Sequence, residues 1–458
     1  MMKKKMAVGL AFAALSVSSP VALATDVFQL EGIGAVSRAM GGTAVAHDVG
    51  PGGMLTNPAN LSFSPNSREV MVGFDLVTTD ITVKNKATGE SVDSDTHSRN
   101  RGPYFAPELA YTHRIGSLTL GIGAFAQGGL GTEYGRSGFL SRSTGGADTG
   151  LENSSRLLVL DIPLAASYKV NDALTIGGSI DALWQGLNLD LLLGADQVGS
   201  LIGSGRVTGS LLPALGGIPG LQGAHFSLTK NRMLGSGVDA WGYAGRLGLA
   251  WQVTSDTRLG AAYNLRSRVS DMEGDATLTA ISGVLGHIPL EGRIKIRDFQ
   301  MPAKLIIGGS HRVTPQWMLT ADVSRVFWKE VMKDIKVTFE ADAGGNLNIR
   351  LPQDYRDQTI VALGTSYALT AEWTLRAGAR YATQALRKET LFAVIPATPT
   401  KHLSVGFSYA VSPTDHIDFA FSHALREKMD NNSLPNTSAP IEVKHTQNNA
   451  TLSYTLSF

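Results

Sequence analysis

Segment after segment of this 458-residue chain carries apolar residues at every second position. Trp241, Tyr243, Leu247, Leu249, Trp251 and Val253 alternate with Gly242, Ala244, Arg246, Gly248, Ala250 and Gln252. The tail repeats the pattern, with Ala450, Leu452, Tyr454, Leu456 and Phe458 set against Thr451, Ser453, Thr455 and Ser457. A period of two assigns each set to one face of a β-strand. Here one face is apolar with aromatics near its ends, and the other is small or polar. A wall with lipid outside and water inside requires that division.

Such strands are expected near 70–76 and at 104–114, 118–127, 158–168, 174–184, 241–253, 257–272 and 291–313. Others are expected at 316–331, 357–369, 373–386, 401–412, 415–427 and 446–458. The total is about fourteen, an even number, as bacterial single-chain barrels have. Short turns at Gly116, Asn171-Asp172, Ser255, Thr314, Ala371 and Pro413 alternate with long stretches at 84–103, 128–155, 193–237, 273–290, 332–356, 387–400 and 428–445. A transmembrane antiparallel β-barrel, with tight turns on one rim and extracellular loops on the other, predicts this order. A soluble β-sandwich does not.

The N-terminus reads as an export signal over residues 1–24, with Lys3, Lys4 and Lys5 before a short apolar run. Ala22 and Ala24 mark a cleavage site, and the mature chain is expected to begin at Thr25. No stretch is long and apolar enough for a transmembrane helix. Removing the three lysines leaves the basic residues slightly outnumbered by the 39 acidic ones, a net charge of about −2. A nucleic-acid partner would call for the opposite balance. The chain has no Cys, so disulfides cannot staple it. Phe458 is expected to close the barrel and to serve as a signal to the barrel-assembly machinery.

A barrel of about this size leaves a hole unless something fills it. Residues 25–66 are rich in Gly and Ala and do not alternate, so they are expected to form an N-terminal hatch within the lumen. The alternative is a disordered periplasmic tail, against which Phe28, Leu30, Ile33, Val36 and Met40 argue by their apolarity. Residues 67–458 form the barrel with its long loops. In the loop 193–237, Leu201, Ile202, Leu211, Leu212, Leu215, Ile218 and Leu221 suit either an apolar landing surface or a lid packed over the barrel mouth.

Phe28-Gln29-Leu30, Gly32-Ile33-Gly34, Ser37-Arg38-Ala39, Gly41-Gly42-Thr43-Ala44 and Asn57-Pro58-Ala59 resemble the N-terminal hatch of the FadL-type outer-membrane transporters. Gly131-Thr132-Glu133-Tyr134, Ala362 to Thr365 and Trp373 to Gly378 resemble further parts of that family, so the likeness spans the mature chain. The resemblance implies a hatch-plugged barrel of a bacterial outer membrane. It implies passive uptake of long-chain fatty acids or, in the TodX-like branch, aromatic hydrocarbons. Substrate would land between the loops, pass to a pocket at the hatch N-terminus and leave sideways at a kinked third strand. The implied partners are hydrophobic small molecules, outer-membrane lipid and lipopolysaccharide, with a monomeric chain and no cofactor.

Phe28, Leu30, Phe125, Tyr134 and Arg356 are the candidate substrate contacts. Phe28 and Leu30 either line that pocket or, as residue-by-residue reading favours, belong to the hatch core, and Arg356 either meets a carboxylate or stays solvated at the surface. Asn57, Pro58, Ala59, Gly128, Gly129 and Gly131 are candidates for gating. The Asn-Pro-Ala run would form a rigid tip near the third-strand opening, or simply a turn leading into the first strand. The glycines mark either a bulge in the third strand or a loop at its end. Gln185 to Leu192 contains no basic residue, which leaves room for a neutral cargo.

Catalytic patterns are not found. There is no His-Glu-x-x-His, no Gly-x-Ser-x-Gly elbow and no phosphate-binding loop, and neither metal nor catalytic residues are expected. Ser422 and His423 are neighbours in one strand and face opposite ways, which disfavours them as a hydrolytic pair. A porin-like channel for small polar solutes and a membrane-embedded lipid hydrolase are the alternatives.

Overall fold

The computed structural model describes residues 27–94, 104–228 and 237–458; the expected signal segment lies outside them. The chain opens with a short helix, α1 (Gly34–Ala39), and two 3-10 turns, Pro51–Leu55 and Pro58–Ser62. Next come β1 (Arg68–Asn85), β2 (Ser91–Ser94), β3 (Tyr104–Ile115), β4 (Leu118–Glu133), β5 (Ser154–Lys169) and β6 (Leu174–Gly194). A connection holding α2 (Ala195–Gly203), β7 (Val207–Thr208), α3 (Leu212–Gly216) and β8 (Leu221–Ser227) leads to β9 (Val238–Gln252). The chain continues through β10 (Thr257–Asn264), β11 (Arg268–Val269), β12 (Met272–Ser282), β13 (Gly286–Arg297), β14 (Lys304–Arg312) and β15 (Trp317–Val326). It finishes with β16 (Asp334–Ala341), β17 (Asn346–Pro352), β18 (Gln358–Ala368), β19 (Trp373–Ala382), β20 (Lys401–Ala410), β21 (Asp415–Asn431) and β22 (Ile441–Ser457).

Antiparallel pairing runs β1–β3–β4–β5–β6–β9–β10 and on through β14, β15, β18, β19, β20, β21 and β22. β22 then pairs with β1 from Glu69 opposite Ser457 to Asn85 opposite Ile441, closing the ring. Closure leaves no open edge, which a sheet in lipid needs because unpaired backbone groups there cost several kcal/mol each. The period-two pattern dictates which face is which. Leu452, Tyr454 and Leu456 are 40, 42 and 37% exposed, whereas Thr451, Ser453, Thr455 and Ser457 are buried. Trp241, Tyr243, Leu247 and Trp251 likewise point outward. The molecule is apolar outside and polar inside, the inverse of a water-soluble sheet protein.

The sheet contains 22 strands where about fourteen were expected from periodicity. The surplus lies in stretches read as loops. Residues 273–290 fall in a hairpin of β12 and β13, and 332–356 hold the hairpin of β16 and β17. The single strand expected over 291–313 is two, β13 and β14, separated by a break in which Asp298 adopts a positive φ of 54°. In 193–237, Leu201 is buried and Leu211, Leu212 and Leu215 pack half-buried on the main apolar cluster, while Ile202 stays exposed. These residues mostly form a packed lid.

Residues 27–66 bond to strands all around the ring. Arg38 pairs with Asp75 of β1 at 2.8 Å, Ala44 N–H donates to Asp322 of β15 at 2.8 Å, and Gly41 N–H donates to Ser404 of β20 at 3.0 Å. The polar inner face thus finds its hydrogen-bond partners in this segment, as buried polar groups must.

Candidate functional site

The wall is incomplete at one place. β3 and β4 pair only from Ile115 opposite Leu118 to Glu108 opposite Phe125. Beyond that, β4 bulges at Gln127, between Ala126 and Gly128 in its register with β5. Gly128 and Gly129 therefore lie within a strand and beside a bulge, not in a loop. The inward edge of β4 bonds instead to the N-terminal segment: Gly129 N–H donates to Phe28 O at 2.8 Å and Leu30 N–H to Gln127 O at 3.2 Å. Phe28 O fills the position a Cβ on Gly128 would take, so only glycine permits this approach.

The bulged Gln127 is held from the other side by charge. Arg246 of β9 lies 2.6 Å from both Asp161 of β5 and Asp181 of β6, all three buried. With its amide assigned to suit both neighbours, Gln127 donates to Asp161 at 3.2 Å and accepts from Arg246 at 3.0 Å.

Where β3 and β4 part, an opening of about 710 Å³, open space at its mouth included, is lined by Val27 and Leu30 from inside and by Tyr104, Phe105, Gly129 and Gly131 of the two lips. Phe105 is 66% exposed on the outer face. The opening therefore crosses the wall.

A second cavity, about 850 Å³ with its mouth, lies on the other side of the N-terminal segment. Phe28 stands at its base, edge-on to Trp328 at 5.5 Å between ring centres and 6.3 Å from Phe299 and Tyr355. The alternating Leu187, Leu189, Leu191 and Leu193 of β6 form one side. None of the described lining residues is charged. Ser155 is already committed to Val394 O at 2.5 Å and the Gln353 amide to Pro352 O at 3.1 Å. Leu157 borders both spaces. Beside them Val27 is held at φ 64°, a costly conformation for a β-branched residue that clusters at functional positions.

The expected residues divide accordingly. Phe28 lines the apolar cavity and Leu30 the wall opening, with Gly128, Gly129 and Gly131. Phe125 lines neither space. It is fully buried between Ile33, Met54, Leu55 and the wall, because the register of β4 turns it toward the N-terminal segment below the bulge. Tyr134 is buried with its hydroxyl on Ala393 O at 2.7 Å, so its polar end is spent on a loop. Arg356 is exposed and lines neither space; burial falls on its neighbour Tyr355. Asn57-Pro58-Ala59 lines neither space. Asn57 Nδ2 donates to Val45 O at 2.7 Å and Leu249 O at 3.0 Å, its Oδ1 accepts from Ala59 N–H at 3.1 Å, and Ser167 donates to Ala59 O at 2.8 Å. Gly177 of β6 and Gly248 of β9 make room for it. Ser422 and His423 do face apart, toward Glu31 and Asn448 respectively. Tyr104, Gln127, Trp328 and Tyr355 were missed. Only the Leu187 to Leu193 alternation carried a signal.

Buried charge anchors the segment between these spaces. Burial would raise the Glu31 carboxyl, but Arg38 and His402 nearby, with hydrogen bonds from Ser422 and Asn449, bring it down to about 2. Burial lowers His47 to about 4, against its contacts with Asp48 O and Thr43 O. At neutral pH Glu31 is charged and His47 is neutral.

The sequence profile of the family described as "Outer membrane protein transport protein (OMPP1/FadL/TodX)" matches residues 13–458. The crystal structure of the Pseudomonas putida toluene transporter TodX is 40% identical, with a TM-score of 0.83 over 95% of this chain and all of that one. The Ralstonia pickettii toluene transporter TbuX is 46% identical, with a TM-score of 0.80 over 93% of this chain and 99% of that one. A long-chain fatty acid transport protein of Escherichia coli O6:H1 (strain CFT073) is 24% identical over 72% of this chain and 71% of its own length. The inside-out closed barrel, its parted wall and these likenesses agree: the chain belongs to the OMPP1/FadL/TodX family of outer-membrane transport proteins.

Proposed function

We propose that this chain is a passive channel for small neutral hydrophobic molecules, monoaromatic hydrocarbons foremost. Residues 27–66 act as its hatch and about fourteen staves as its membrane wall. Cargo comes in from the loop rim, rests in the apolar cavity over Phe28, and leaves sideways into the membrane between β3 and β4. One observation carries the reading. A cavity with no charged lining residue adjoins, across Leu157 and the Phe28–Leu30 strand, an opening that reaches the lipid-facing Phe105.

The chemistry favours hydrocarbons over fatty acids. A buried carboxylate without a cationic partner is strongly disfavoured, and the cavity offers none. A neutral ring loses little on leaving water and gains from lining aromatics such as Phe28 and Phe299. Substrate moves down its own gradient, so neither nucleotide nor metal has a role. The signal over residues 1–24, the monomeric state and contact with lipopolysaccharide belong to the same proposal.

The test is uptake by cells whose outer membrane carries the full chain, using labelled toluene and labelled oleate. Toluene uptake should exceed that of cells lacking the chain, while oleate uptake should not. Equal uptake of both would overturn the neutral-cargo reading, and conductance to sugars without toluene uptake would favour a porin-like channel.

A further inference from the structure

The two lips of the wall opening do not stand bare. Tyr104 is the first described residue of β3, on the side of β1, where it pairs with Val77. Gly131 lies on the facing lip in β4, beyond the last β3–β4 pair. A Cβ built on Gly131 would run into the hydroxyl, Cζ and Cε1 of Tyr104. The ring therefore spans from one lip to the other and rests where the opposite strand has no side chain. Arg156 of β5 is placed over the same ring, 5.9 Å from its centre. A cation over an aromatic face favours that ring position.

We propose that Tyr104 is the size filter of the lateral exit, a hinged aromatic bar that rests against Gly131 and sets the widest cargo able to pass. The inference relies on lateral exit. It adds that selectivity for width is set at the lips, and not only in the cavity at Phe28. The glycine on the far lip is what lets the bar close. A methyl at position 131 would hold the ring off its seat. Since Tyr104 borders the opening and not the apolar cavity, its substitution should change which cargo leaves more than which cargo binds.

The experiment measures uptake of labelled toluene and labelled naphthalene by cells carrying the full chain, with heat-modifiable gel migration as the check on barrel assembly. Tyr104→Ala should raise the naphthalene-to-toluene ratio several-fold, Gly131→Ala should raise it less, and Tyr104→Phe should keep the wild-type ratio because the ring remains. Tyr104→Leu serves the same purpose if the alanine variant does not assemble. An unchanged ratio in an assembled Tyr104→Ala or Tyr104→Leu barrel overturns the filter. The chain's lack of Cys allows a separate control. Tyr104→Cys with Gly131→Cys, bridged by a short bifunctional thiol reagent, should stop uptake of both compounds. Full uptake through bridged lips would instead overturn lateral exit itself.

Discussion

The two ends of the N-terminal segment are held by different forces. From Arg38 to Ser62 it is fastened by a buried ion pair, the Asn57 hydrogen bonds and close seating against wall glycines. From Val27 to Leu30 it is held by two backbone hydrogen bonds to β4 and by aromatic contacts, against the strain at Val27. Both cavities lie at the second end. A segment fixed at one end and lightly held at the other can yield beside the two cavities without leaving the barrel. Local stability is expected to be lowest where a binding element moves.

The largest effect should come from Arg38→Ala. It leaves Asp75 and Glu31 buried without their cation, and removing one partner of a buried pair costs about 3–5 kcal/mol. The folded, heat-modifiable band should melt at markedly lower temperature. Fully retained stability would mean that the anchored end is not anchored by charge. Acid should act on the same end. His47 titrates near 4 when folded against an ordinary 6.5. Below 6.5 the unfolded chain takes up a proton that the folded one refuses, so stability falls as pH drops from 6.5 to 4, by up to about 3 kcal/mol. His47→Gln should flatten that part of a melting-versus-pH curve, and an identical curve in the variant would assign the acid sensitivity elsewhere.

Asn57→Ala should cost about 2 kcal/mol, because Val45 O and Leu249 O lose a donor in a buried site. Melting should show this, with toluene uptake by the assembled barrel little changed. At the lightly held end the balance reverses. Phe28→Ala should lower melting less than Arg38→Ala does and weaken toluene binding about tenfold, the equivalent of roughly 1.4 kcal/mol of lost ring contact. A variant that unfolds without a binding defect would erase the distinction between the ends. The smallest effect belongs to Arg356→Gln. Exposed and off both cavities, it should alter neither melting nor toluene uptake, and a clear uptake defect would restore a role for it.

Much of the wall could be read from the chain. Alternation located the staves, and from Thr451 to Phe458 the predicted inner and outer faces match the buried and exposed residues one by one. Periodicity failed where strands lie outside the closing ring. Ile294 and Ile296, Ile335 and Val337, and Ile349 and Leu351 alternate too, but in runs too short to distinguish from loop. They were assigned to connections or merged with the next strand, and yet they face the apolar cavity. Site residues were legible where backbone geometry left a mark, as at Gly128 and Gly131. Phe125 and Tyr134 stand near those glycines in sequence but line neither cavity. A strand sends successive side chains to opposite faces, and a bulge resets that order, so nearness along the chain does not mean nearness to either cavity.

The sequence alone determined that this chain closes an inside-out barrel. A period-two pattern repeated between alternating short and long connections can bury its backbone and satisfy both faces in few other ways. Only the tertiary structure decided where the wall parts and what lines the way through. That depends on one extra residue in β4, on Arg246 meeting Asp161 and Asp181 from three strands, and on Phe28 reaching Trp328 across 300 positions of chain. Contacts between residues so far apart leave no local periodicity to read, because their geometry exists only once the ring has closed.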